Sequence, residues 1–138
     1  MTLVRSGVTI GLVIWAAATA VFVPLGKFIL APGARVPPSL SAALVVLATL
    51  AGIHLIARRV LRRDGAPSLE RAALFGACAC LPGLVLDGAL YVVGGGRYPG
   101  LDAAANGTMT AALLLAYAAA LLGALGAARR TASVPLAP

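Results

Sequence analysis

Four long apolar stretches, separated by short segments rich in charge, proline or glycine, set the pattern of this chain. The first runs from about Val8 to Leu30 and the second from about Leu40 to Val60. The third covers about Ala72 to Val93 and the fourth about Thr108 to Ala128. A helix rises 1.5 Å per residue, so about 20 residues cross the roughly 30 Å of hydrocarbon in a bilayer. Each stretch is long enough. The pattern predicts an all-α polytopic membrane protein, with four transmembrane helices at about 8–30, 40–60, 72–93 and 108–128 in one antiparallel bundle.

The punctuation agrees with those limits. Between the first two helices, Pro32, Gly33, Pro37 and Pro38 interrupt any helical pattern. Before the third, Ser68 is a good N-cap, and Glu70 suits the positive end of the helix dipole. Gly94, Gly95 and Gly96 end that helix, and the loop RYPGLDAAANG follows, in which Asp102 can cap a helical turn. The sequon Asn106-Gly107-Thr108 lies too close to the bilayer to be read as a glycosylation site. The first apolar run is longer than the 7–15 residues of a secretory signal core, so it reads as a retained helix. Pro24 is expected to bend its last third.

Composition fixes the class independently. Of 138 residues, 61% are hydrophobic and 11% charged, against about 25% charged in soluble domains. The mean hydropathy is +0.99. A net charge of +7 would suit nucleic acid only on a solvated basic domain, and no segment here can form one. The cations read instead as topology. With the N-terminus inside, Arg5, Arg58, Arg59, Arg62, Arg63, Arg71, Arg129 and Arg130 fall on the cytoplasmic side, and Lys27, Arg35 and Arg97 on the other. This bias predicts an inner-membrane protein with both termini cytoplasmic. It also separates the chain from small proton-coupled multidrug exporters of dual topology, which share its four-helix size but need a weak bias. Arg58, Arg59, Arg62 and Arg63 are the candidate contacts for anionic lipid headgroups.

One acid lies inside an apolar stretch. Asp87, in CACLPGLVLDGALYVVGGG, costs about 2.5–3.5 kcal/mol at a helix centre, and the strongly apolar residues around it return about 0.3–0.6 kcal/mol each. Intramembrane charges face a protein interior or a water cavity and mark functional sites. Counted along its own helix, Asp87 lies past the middle, toward the outer leaflet. Tyr91, one turn on, and Lys27 of the first helix are its expected partners, with Arg97 next. Pro82, Gly83 and Gly88 loosen the same segment, as in the interrupted helices where membrane proteins build ion and substrate sites. The expected inward face of this helix carries Cys80, Gly83, Leu84, Asp87, Tyr91 and Gly94.

Other residues carry less. His54 is the lone histidine, and Cys78 and Cys80 point to different sides of a helix, so neither a haem nor a metal ligand set is expected. No nucleophile with a base and no phosphate-binding loop appears, and one histidine with four acids leaves few groups for acid–base catalysis. The chain reads as non-enzymatic, with no cofactor. Gly7 and Gly11 form a GxxxG pair, which either permits close helix contact or reflects a glycine-rich composition. Ala112, Ala116, Ala120, Ala124 and Ala128 form a stripe on the fourth helix that would let another backbone approach, including that of a second copy.

The first-helix run WAAATAVFVPLGKFIL and the later LPGLVLDGALYVV followed by RYPGLD resemble a family of small four-helix bacterial inner-membrane proteins of unknown function. The resemblance implies a four-helix membrane fold with Asp87 and the Tyr98-Pro99 loop as characteristic positions, and it implies no activity. From the residues themselves, the favoured function is packing with a partner or lipid. A small proton- or ion-coupled transporter using Asp87 is the alternative.

Overall fold

The computed structural model describes residues 2–30, 36–63 and 68–132, with side chains described up to Arg129. It contains α1 (Leu3–Ile29), α2 (Pro38–Arg63), α3 (Leu69–Val93) and α4 (Ala103–Ala132). All four are long and apolar enough to cross a membrane. Each extends a few residues past its apolar stretch. The arginines that end α2 are good helix formers, and their cations suit the negative end of its dipole. Pro38 opens α2, where a proline costs no hydrogen bond. Ser68 caps α3 by accepting the Arg71 backbone N–H at 3.2 Å. Asp102 caps α4 itself rather than a separate turn, accepting the Ala105 N–H at 2.8 Å. Both α1 and α3 continue as helix through Pro24 and Pro82.

The helices pack in the spatial order α1–α3–α4–α2, with α2 against α4 as the most extensive seam, while α1 and α2 barely touch. Small residues set these approaches. Gly7 and Gly11 lie against α3, where a Cβ on Gly7 would come within 2.8 Å of Cys78 Cβ and one on Gly11 would meet the Ala79 carbonyl. The GxxxG pair is therefore a true contact surface. On α4, Ala120, Ala124 and Ala128 are buried, with Ala124 wholly so. Gly123 lies against the backbone of α2, and Ala124 faces Gly76 of α3. The alanine stripe expected to admit a second copy is thus largely filled within the chain. Dispersion contacts and lipid release favour such close approach where lipid offers no hydrophobic contrast.

Two apolar clusters close the bundle at different depths. At the end that carries the α2 arginines, Ile53, Ala57, Leu61, Ala72, Phe75 and the α4 alanines pack together, with Leu3 and Ile10 of α1 against them. At the opposite end, Leu30, Ala105 and Met109 pack with Phe22, Ile29, Tyr98 and Leu101. Between the two clusters lies Asp87.

Candidate functional site

Asp87 is 8% exposed and accepts hydrogen bonds from two other helices. The Trp15 indole N–H of α1 donates to Oδ1 at 2.8 Å. The Tyr117 hydroxyl of α4 donates to Oδ2. Three helices therefore meet at one carboxyl group. Gly83, one turn before Asp87, makes the second bond feasible, because a Cβ there would sit 2.5 Å from the Tyr117 oxygen. Cys80 follows on the same face and directs its thiol at the Tyr117 carbonyl, 3.7 Å away.

The expected partners are elsewhere. Tyr91 is 37% exposed and packs against Tyr98, with ring centroids 5.6 Å apart. Lys27 is exposed and sits over the ring of its neighbour Phe28 at 4.9 Å. Lys27 lies 12 residues beyond Trp15, about 18 Å along α1, which places it far from the level of Asp87. Arg97 is exposed. The inward face of α3 holds Cys80, Gly83 and Asp87 as expected, but Leu84, Tyr91 and Gly94 are exposed.

The change of partners has a structural cause. Asp87 is six residues from the end of α3, about 9 Å, whereas Trp15 and Tyr117 are each 14 residues, about 21 Å, from the same end of their own helices. Both occupy the midpoints of their spans. The acid thus lies level with the middle of α1 and α4, and α3 simply stops short. The segment 94–102 occupies the space left above it: Leu101 touches Gly26, and Gly100 approaches the Val23 carbonyl, nearly two turns below the end of α1.

Non-helical backbone at such depth survives only where protein or water satisfies it. Here Gly94, Gly95 and Gly96 donate to Leu90, Val92 and Tyr91 carbonyls, and Leu101 donates to Tyr98. The Tyr98 N–H donates to Asn106 Oδ1 at 2.9 Å, which gives the asparagine of the sequon a structural task. Gly95, Gly96 and Gly100 have φ of 65°, 84° and 78°, values that favour glycine.

A cavity of about 110 Å³ borders the carboxyl group and is lined from all four helices, by Trp15 and Thr19, Thr49, Gly83 and Asp87, and Tyr117 among others. A smaller space of about 20 Å³ lies beside Asp87 toward Tyr98 and Pro99. Among the described residues no lysine or arginine lines either space. No family model, curated protein or solved structure matches this chain. Its site must be read from geometry alone.

Neither cysteine forms a disulfide, and His54 turns Nδ1 to the Gly123 carbonyl at 3.2 Å, fixing the α2–α4 seam. Among the described residues no three of His, Cys, Asp and Glu gather as metal ligands. At the cationic end, Arg59, Arg62 and Arg63 are exposed. Arg58 is half-buried, and its Nε has no hydrogen-bond partner among the described residues.

Sequence reasoning overlooked Trp15 and Tyr117. A signal was present: tryptophan and tyrosine in membrane proteins favour the interfaces, where their polar tips reach water. At mid-span such a tip needs a buried acceptor. Asp87 was the one acid available inside the bilayer stretches.

Proposed function

We propose that this is a non-enzymatic inner-membrane protein, with both termini cytoplasmic, that acts through packing with lipid or a partner and is held together by Asp87. The observation that carries this reading is the occupation of both carboxyl oxygens by donors from α1 and α4. The arginines of α2 grip anionic headgroups, each contributing about 1 kcal/mol near the surface. Kinship with small four-helix inner-membrane proteins of unknown function belongs to the same proposal. In detergent, Asp87→Asn should lower thermal stability, and Asp87→Leu should lower it further because it leaves both donors unpaired. Equal stability of all three proteins would sink the packing role.

The cavity favours a second reading, a small proton- or ion-coupled transporter in which Asp87 holds the coupled charge. A carboxyl group at mid-span beside a space lined by four helices has the placement such a site needs. In reconstituted vesicles, a flux driven by a pH gradient should vanish in Asp87→Asn. A flux retained by that variant would remove Asp87 from the coupling.

A further inference from the structure

We infer that the Asp87 cavity is a binding site for a small organic monocation with an apolar body, reached from the bilayer through the seam between α1 and α2. This deepens the transporter reading and rests on it for its physiological meaning, but the binding itself is separately testable.

Three features specify the ligand. Among the described residues Asp87 is the only acid on the cavity wall and no lysine or arginine lines it, so a bound cation would find a carboxyl group not already paired with one. Apart from Thr19, Thr49 and Cys80, the remaining wall is apolar or aromatic, with Trp15 and Tyr117 at the carboxyl group and Phe22 also in the lining. Aromatic faces attract alkylammonium ions, most strongly where water is excluded. A strongly hydrated inorganic cation would need several oxygen ligands, and Thr19, Thr49 and Tyr117 offer too few in an otherwise apolar chamber. The volume of about 110 Å³ suits a trimethylammonium head, since apolar cavities near 150 Å³ take up benzene.

The route follows from the packing order. Leu3 and Ile10 join α1 to the apolar cluster at the cationic end, and Phe22 and Ile29 join the cluster at the other. Along their whole length α1 and α2 barely touch, and Ile14, Ala18, Val45 and Thr49 of these two helices line the cavity. Ile14, which lines the cavity, is 37% exposed at the bundle surface. An amphiphilic cation dissolved in the bilayer can therefore place its head at Asp87 and leave its apolar tail in the seam. Among the described residues that line these spaces with Asp87, the polar or titratable groups are Trp15 and Thr19 on α1, Thr49 on α2, Cys80 on α3, Tyr117 on α4 and Tyr98 in the loop, and none is a competing cation.

Trp15 is the sole tryptophan, so its fluorescence reports on this cavity alone. Full-length protein in detergent micelles should give a saturable fluorescence change with benzyltrimethylammonium. The neutral isostere neopentylbenzene should give none at the same concentrations. Asp87→Asn should weaken the apparent affinity at least tenfold. Ala116→Leu, which fills the cavity while leaving the acid intact, should do the same and decides the question where Asp87→Asn does not fold. An unchanged response in either folded variant, or an equal response to the neutral compound, overturns the proposal. A cation response without gradient-driven flux upholds the site and removes the transporter reading. Flux lost in Asp87→Asn with no cation response upholds transport and overturns the cation site.

Discussion

Toward the cationic end, α2, α3 and α4 close on one another through Ala57, Ala72, Ala124 and Ala127, all effectively without exposed surface, around the buried ring of Phe75. Between that end and the apolar cluster at the other, Asp87, two hydrogen-bonding aromatics from α1 and α4 and an inserted loop meet beside a cavity of about 110 Å³. One half coheres by close backbone approach. The other coheres by a polar node that spans three helices. Small side chains can bring two helices together but leave nothing to orient a third, whereas a carboxyl group with two acceptor oxygens can hold two neighbours at once.

This contrast can be broken at several points. Phe75→Ala should have the largest effect, about 3–5 kcal/mol, because it empties the centre of the dry half. Equilibrium unfolding in mixed micelles would measure it, and a loss below that of Tyr117→Phe would reverse the ranking of the two halves. A matched pair of glycines comes next. A Cβ on Gly123 would lie 2.7 Å from the Leu50 carbonyl, a backbone atom that cannot yield, while one on Gly83 meets the movable tip of Tyr117. Gly123→Ala should therefore cost about 1–3 kcal/mol and Gly83→Ala less. Equal losses would mean that the α2–α4 seam can shift as freely as a side chain.

Removing the donors separately should cost less again. Trp15→Phe and Tyr117→Phe should each lose about 0.6–2 kcal/mol, the range of interhelical hydrogen bonds in membranes. If the node acts as a unit, the double variant will depart from the sum of the two; strict additivity would show two independent bonds. Asn106→Ala should have the smallest effect, about 1 kcal/mol, because it frees the Tyr98 amide alone. Hydrogen exchange confined to segment 94–102 would mark that change, and protection unaltered there would remove Asn106 from the loop's support.

The four helices were legible because insertion into a bilayer selects each span by its own length and hydropathy, which are local properties. Ser68 as a cap and the interior position of Asp87 were legible for the same kind of reason: a start signal is local, and a charge cannot be left in lipid. The inward face of α3 could be followed through Cys80, Gly83 and Asp87, with Leu84 turned outward, and no further. Above that point it depends on where the other helices end.

The sequence by itself determined the class, the spans, the uneven charge of the two ends and the one acid that needed partners. Tertiary structure alone decided that Gly7 and Gly11 meet α3, that the α4 alanines are consumed inside the bundle, and that Trp15 and Tyr117, not Tyr91 and Lys27, hold Asp87. The physical reason is depth. Position along one helix gives a residue's height only if all helices cross the same thickness, and here α3 ends early with a loop folded in above it. Height relative to neighbours is a property of the packed bundle.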